Sequence, residues 1–577
     1  MDTPSANSPD WLTRLDHVIR DSFPLSPPWL NPHREPRRVD DSLLRTCPMP
    51  AARSPEITLD FDPAFLDALP ADPLTTAQPR QVEGATHSFC MPTPVAAPRL
   101  LSWSADCAAL LGLPAQPDTA RAAAAVFSGN ALLSGSQPYA TCYGGHQFGQ
   151  WAGQLGDGRA LMLGTAIAPD GRRFEVQLKG AGLTPYSRHA DGRAVLRSSI
   201  REYLCSEAMH HLGIPTTRAL CLVASGEDVV RDMFYDGRAR AEPGAIVTRV
   251  AESFLRIGHL EILAARGDIT LLQRLLDHCI VRHFPQLGAP SREVYLAWFG
   301  EVCRRTAELI AHWLRVGFVH GVMNTDNLSL LGLTIDYGPY GWLDNFDPHF
   351  TPNTTDRGGR YAYGQQARIA GWNLACLANA LMPLVDNRQA LEDALDGYAA
   401  HFETTYLAML RDKLGLPPTG DAQSDFGLVS TLFDCFGKAE TDMTLFYRTL
   451  ASISPEMPPD LALESLDATF YYPPTATARE AFAHWLTDWQ ARLRLSAESQ
   501  GERTTRMNAT NPWLIPRNWL AQQAIQAAEA GDLAPLEHLM SAIRDPYTEQ
   551  IAYSDLAGRR PDWARFQPGC GSLSCSS

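Results

Sequence analysis

Apolar and polar positions alternate with period two from Phe174 to Lys179: Phe174, Val176 and Leu178 share one face, and Glu175, Gln177 and Lys179 the other. That pattern predicts a half-buried strand. Arg159 to Leu163 reads as a strand before it, with Pro169-Asp170-Gly171 as a turn signal between the two. The period then changes. Leu196, Ile200, Tyr203, Leu204, Ala208 and Leu212 form one helical stripe, closed by Gly213 and Pro215, with Glu202 off its centre. Ala219–Ala224 and Ala245–Val250 read as further strands. From Leu260 onward the pattern is mainly helical. A helix over about Val294–Leu314 leads into the apolar segment Gly317-Phe318-Val319-His320-Gly321. A second, over Arg388–Lys413, carries Leu391, Leu395, Tyr398, Phe402, Tyr406 and Met409 on one face and stops before Gly415 and Pro417-Pro418. The order predicts an α+β chain: a mixed strand-and-helix lobe, a helical lobe, then a helical C-terminal extension.

At 577 residues the chain exceeds one ordinary core. Its net charge of −15 opposes general nucleic-acid binding. No apolar run is long enough for a membrane span; the longest candidate, Leu374–Val385, contains Asn379 and Pro383. The N-terminus lacks a secretory pattern, and the stretch to about Glu56, rich in Pro, Ser, Arg and Asp, reads as a disordered extension. The 12 cysteines form no C-x-x-C pair, which argues against a zinc ribbon and for buried, reduced thiols in a soluble cytoplasmic protein. Cys570 and Cys575 are the exception, five apart on a Gly/Ser-rich tail where a local disulfide is conceivable.

Four local motifs, each weak alone, occur in a telling order. Gly153-Gln154-Leu155-Gly156-Asp157-Gly158-Arg159 precedes a strand, and closely spaced glycines let backbone N–H groups approach phosphate, although a tight hairpin explains them equally well. Lys179 ends the next strand, and Glu202 lies on the following helix, as in the lysine–glutamate pair of protein kinases. In His320-Gly321-Val322-Met323-Asn324-Thr325-Asp326-Asn327, His320 and Asn327 fall in register with the kinase H-R-D-x-x-x-x-N loop. Ile335-Asp336-Tyr337-Gly338 reads as a variant D-F-G. This order implies a protein-kinase-like two-lobed fold using ATP and a divalent metal, with Asn327 and Asp336 as ligands. Val322 stands where the kinase catalytic aspartate belongs and cannot accept a proton. Either the base is elsewhere, with Asp326 nearest, or the protein is a catalytically inactive ATP-binding scaffold.

Longer blocks carry a resemblance. Tyr143-Gly144-Gly145-His146-Gln147-Phe148-Gly149, Trp151 through Ala160, Gln177-Leu178-Lys179-Gly180-Ala181-Gly182, His320 through Asn327 and Ile335 through Pro339 are similar to the selenoprotein O (YdiU) family, from about Phe61 to the C-terminus. That family is one of pseudokinases that bind ATP inverted and transfer AMP to Ser, Thr or Tyr hydroxyls of proteins. The resemblance implies that Gly156, Gly158, Arg159, Asp191, Gly192 and Asp336 contact nucleotide, and that Lys179, paired with Glu202, holds phosphate with Arg249 and Arg256. It makes Asp326 the catalytic base and Asn327 and Asp336 the ligands of Mg²⁺ or Mn²⁺. It also makes Cys575, third from the end, a possible redox group with Cys570; no cysteine occurs between Asp347 and Arg360 to serve a core-to-tail disulfide. Expected boundaries are 1–56 for the extension, 57–258 for the N-lobe, 259–387 for the C-lobe and 388–577 for the helical C-terminal region. A phosphoryl-transferring kinase remains the rival enzyme, opposed by Val322.

Overall fold

The computed structural model describes residues 57–418 and 420–574; the expected N-terminal extension and Cys575 lie outside them. Among the described residues the first half of the chain builds a ten-stranded mixed sheet. Its centre is the run Ala160–Ile167, Arg173–Lys179, Arg240–Ala251 and Arg218–Arg231, all antiparallel neighbours. The turn at Pro169-Asp170-Gly171 joins the first two, with Gly171 at φ 83° and its N–H donating to Ala168. The Arg218–Arg231 and Arg240–Ala251 strands run far past the expected segments because they continue as a hairpin beyond the covered sheet, where the apolar signal ends.

The strand expected to be half-buried is covered on both faces. The Arg173–Lys179 strand is not half-solvated: six of its seven residues are buried. Helices Ala105–Leu110 and Ala120–Phe127 cover the face of Val176 and Leu178, where Leu161, Ile246 and Val250 complete a core. The Leu196–His211 helix covers the other, packing Leu196, Ile200 and Tyr203 on Val247 and Leu222. Period-two polarity therefore marks a buried polar layer, Glu175, Gln177 and Lys179, whose charges must be paired inside the protein.

The Leu196–His211 helix departs from a simple amphipathic reading for the same reason. Thirteen of its residues are buried, Arg197, Arg201, Glu202 and Glu207 included, because the C-terminal helix Asn518–Glu529 packs on its outer side through Ala524 and Ile525. The remaining helices form the second half. Arg292–Val316 starts on the Ser291 hydroxyl and stops at left-handed Gly317; Arg388–Leu414 stops at Gly415 in the same way. The Leu374–Val385 segment is the end of helix Gln366–Val385, and no described helix is long and apolar enough to cross a membrane. Arg517, paired within the C-terminal region with Asp442 at 2.8 Å, ties that region to the segment after Asp336 through Asp344 at 3.3 Å. The ten described cysteines are free thiols, nine of them buried.

Candidate active site

Five charged side chains converge beneath the sheet. Lys179 ends its strand in register with Val247, so its ammonium shares a face with Arg249, which pairs across the strands with Gln177. Lys179 Nζ lies 2.7 Å from Glu202 Oε2 and 4.0 Å from Asp336 Oδ1. Arg249 Nη1 donates to Glu202 Oε1 at 3.0 Å and also to Asp336, while Nη2 donates to Gln177. Arg256 Nη1 donates to the Asp326 carbonyl at 2.9 Å and to the second Asp336 oxygen. One guanidinium thus holds the Thr325–Asn327 turn against Asp336. Tyr143 lies 4.7 Å from the Arg256 guanidinium and Phe254 5.0 Å from that of Arg249, each ring stacking on its cation.

The electrostatics follow from this packing. Burial pushes the Lys179 ammonium down, and Glu202 pulls against it. Burial would raise Asp336, but Arg256, Arg249 and Lys179 outweigh it and hold the carboxyl well below the usual range. Asp336 sits at φ 54°, a left-handed conformation unfavourable to aspartate and held by the arginines around it. Asp326 is the opposite case. Burial pushes its carboxyl up to about 7, with Gln147 and Arg256 working against the rise. Its Oδ2 accepts from Gln147 Nε2 at 3.2 Å, and its Oδ1 is buried without a hydrogen-bond partner among the described residues. A carboxylate half-ionised near neutral pH, with one oxygen unengaged, has the properties of a general base.

The Asp326 turn is clamped by the Gly144–Gln147/Gln150–Gln154 hairpin. Thr325 Oγ1 accepts from His146 N at 2.7 Å, and Asn324 Oδ1 accepts from Phe148 N at 3.2 Å. A Cβ on Gly145 would stand 3.0 Å from Asp326 Oδ1, and one on Gly258 would strike the Gly144 carbonyl at 2.1 Å. Behind the hairpin, His146 Nδ1 pairs with Glu261 at 2.7 Å. Reading local motifs for chemistry missed Gln147 and this hairpin; the adjacent Gly144-Gly145, which mark close backbone approach, were the available signal.

The other expected residues divide. Asn327 donates Nδ2 to the Val322 carbonyl at 3.0 Å, leaving Oδ1 without a hydrogen bond among the described residues. Val322 is buried, and His320 serves the packing, bonded to the Ile335 carbonyl at 2.8 Å and stacked on Trp313. Arg159 makes no ion pair among the described residues, and its charge acts on Lys179. Gly156, at φ 109°, and Gly158 lie against Tyr186, where a Cβ would come within 2.5 Å of the ring and 2.9 Å of the carbonyl respectively. Asp191 is not brought to the cluster: Arg231 holds its carboxylate through two bonds of 2.7 Å. Gly192 accepts from Gly182 N at 3.1 Å, returning that loop to the end of the Lys179 strand. Cys570 is buried, with its thiol pushed up to about 11 by that burial. A protonated, covered thiol is a poor nucleophile.

A mixed sheet carrying a buried lysine–glutamate pair, two arginines and a raised aspartate has the charge distribution of a site for an anionic substrate. Comparison with known proteins narrows the class. The family model described as protein adenylyltransferase SelO matches residues 78–544, and the chain belongs to that family of protein nucleotidyltransferases. It is 57% identical over 520 residues, 90% of this chain and 99% of the relative, to the protein nucleotidyltransferase YdiU of Azoarcus sp. (strain BH72). It is 55% identical over 525 residues, with the same coverage, to that of Aromatoleum aromaticum. The YdiU protein of Nitrosospira multiformis is 52% identical over 557 residues, 92% of this chain and 98% of the relative.

Proposed function

We propose that the enzyme transfers AMP from ATP to Ser, Thr or Tyr hydroxyls of proteins, with ATP inverted in a kinase-like cleft between lobes at 57–258 and 259–387, and residues 388–577 buttressing both. The observation that carries this reading is Asp326: a buried carboxyl raised to about 7 with one oxygen unengaged, beside the cationic cluster, while Val322 fills the kinase base position.

The acceptor oxygen attacks the α-phosphorus of ATP, its proton passes to Asp326, the bond from the α-phosphorus to the β-bridging oxygen breaks, and pyrophosphate leaves. Lys179, Arg249 and Arg256 bind the leaving pyrophosphate and stabilise the charge that develops on it. Gln147 holds Asp326 with Oδ1 toward the acceptor. The Gly156–Gly158 turn, packed on Tyr186, would present its backbone to the nucleotide together with Arg159, and the Asp191–Gly192 loop would contact it only if Asp191 leaves Arg231. The carboxylate of Asp336 and the unengaged amide oxygen of Asn327 are hard oxygen donors suited to Mg²⁺ or Mn²⁺. Such an ion supplies neutralisation of phosphate charge.

The test is ATP labelled at the α or the γ phosphate, incubated with enzyme, metal and acceptor protein. Label on protein from the α position alone is the expected result. Label from γ alone makes the chain a kinase; label from neither makes it a scaffold.

A further inference from the structure

We propose that His146, Glu261 and Cys376 form a binding site for one Zn²⁺ ion, and that the ion pins the hairpin holding Asp326. The three residues come from three elements: His146 from the Gly144–Gln147 strand, Glu261 from the Ile257–Arg266 helix, and Cys376 from the Gln366–Val385 helix packed against it. A ring nitrogen of His146, a carboxylate oxygen of Glu261 and the Cys376 sulfur all lie within 4.8 Å of one another. Zinc bonds of roughly 2.0–2.3 Å set tetrahedral ligand atoms about 3.3–3.8 Å apart, so side-chain adjustments of about 1 Å close the set on an ion.

Glu261 is the unsatisfied member. Its Oε1 meets His146 Nδ1 at 2.7 Å, but its Oε2 is buried with no hydrogen-bond partner among the described residues, on a side chain only 4% exposed. A carboxylate oxygen withdrawn from water and left without a donor is costly unless a proton or a cation meets it. Cys376 is the one described cysteine that is not fully buried. Its thiol is still covered enough that burial pushes it well above its usual range, with Glu261 adding to the rise and Arg360 opposing it. A divalent ion reverses that balance, because it binds the thiolate and releases the proton. Thiolate and carboxylate together cancel the charge of the ion, and the imidazole adds a neutral donor. A set of sulfur, nitrogen and oxygen selects zinc over magnesium, which takes oxygen. Three protein ligands leave the fourth position to water. The rings of Trp151 and Trp372, with centroids 5.1 and 5.4 Å from that of His146, wall the site.

The position of the site gives the ion a consequence. His146 N donates to Thr325 Oγ1 at 2.7 Å, and the next residue, Gln147, donates to Asp326 Oδ2 at 3.2 Å. An ion on His146 therefore ties the hairpin to the two helices behind it, one residue from the contact with Asp326. The spacing of 115 residues between His146 and Glu261 exceeds that of any short zinc motif, so only the fold brings these ligands together.

The test strips the full-length protein with a chelator and titrates it with Co²⁺, a spectroscopic stand-in for Zn²⁺. Thiolate ligation gives a near-ultraviolet charge-transfer band that oxygen donors such as Asn327 and Asp336 cannot produce. One equivalent of Co²⁺ is expected to develop the band in wild type, and Zn²⁺ to abolish it by displacement. Cys376→Ser is expected to remove the band, and Glu261→Gln to weaken binding at least about tenfold. Cys376→Ala repeats the loss with a residue suited to a helix, so that one misfolded variant does not decide the result. Hydrogen exchange over residues 144–154 is expected to slow with Zn²⁺ by about threefold or more in wild type and to stay unchanged in Cys376→Ser. Absence of the band in wild type overturns the site, as does a band that survives both cysteine variants or an affinity that Glu261→Gln leaves unchanged. Hairpin exchange indifferent to Zn²⁺ in wild type overturns the pinning.

Discussion

Replacing Asp326 by Asn tests the electrostatics of the site without disturbing its shape. Burial raises the Asp326 carboxyl to about 7, against about 3.9 for an unfolded aspartate. A native value above the unfolded one favours folding while the group is neutral. That contribution is present in full below the unfolded value and is lost as pH rises through the native one. Between pH 5 and pH 8 the wild type loses on the order of 2–3 kcal/mol through this group alone. Asparagine carries no charge at either pH and can still accept from Gln147 through its amide oxygen. Asp326→Asn should therefore gain on wild type by on the order of 2–3 kcal/mol between pH 5 and pH 8, while losing AMP transfer at both. Denaturant midpoints of both proteins at the two pH values measure the gain, and every other titrating group cancels in the comparison. A difference that stays constant with pH would show that Asp326 ionises as an ordinary carboxylate and would remove the reason to call it a poised base.

The same carboxyl sets activity against pH: kcat/KM should rise about tenfold per unit up to about pH 7 and level off above it, and a flat profile from pH 5.5 to 8 argues for another base. Lys179→Ala leaves Glu202 with Arg249 alone and removes a phosphate contact; ATP affinity by calorimetry should fall on the order of ten- to a hundredfold. Gly156→Ala places a Cβ at φ 109° against the Tyr186 ring and should lower stability by about 1–3 kcal/mol, read as a shift in denaturation midpoint. Val322→Asp buries an unpaired carboxylate, should destabilise by about 3–5 kcal/mol, and should yield no γ-label on protein; γ-transfer in that variant refutes the assignment of the base to Asp326.

The elements were legible where one face meets a core and the other meets something different. The Arg292–Val316 and Arg388–Leu414 helices matched their apolar stripes to within two residues because Gly317 and Gly415 end them chemically. The Arg173–Lys179 strand was placed correctly and its environment was not, because period-two polarity looks the same whether the polar face meets water or a buried ion network. Only the convergence of Glu202, Arg249 and Asp336 from distant parts of the chain distinguishes the two. Nothing local to Arg249 and Arg256 marks them as buried, since their partners Asp326 and Asp336 lie 70 to 87 residues away. The hairpin over Asp326 was legible only as a pair of adjacent glycines.

The pairing inside the cluster explains how one cleft can be stable alone and still receive a triphosphate. Arg249 and Arg256 each spend a donor on Asp336, so three buried cations are balanced by Glu202 and Asp336. Leaving such cations unpaired costs several kcal/mol, and the carboxylates remove that penalty in the empty site. A pyrophosphate offers the same guanidinium groups more oxygens and more charge than one carboxylate does. Under the proposed mechanism, phosphate would replace Asp336 at the arginines, and the freed Asp336 carboxylate would join Asn327 as an oxygen donor for a divalent metal. On that reading nucleotide and metal binding would support one another, each providing the partner that the other displaces. Separate titrations should reveal this coupling, with metal affinity higher in the presence of ATP than in its absence by more than metal binding to free ATP accounts for. Arg256→Gln, which takes away one of the displaced partners, should shrink that coupling even where it leaves some affinity for ATP.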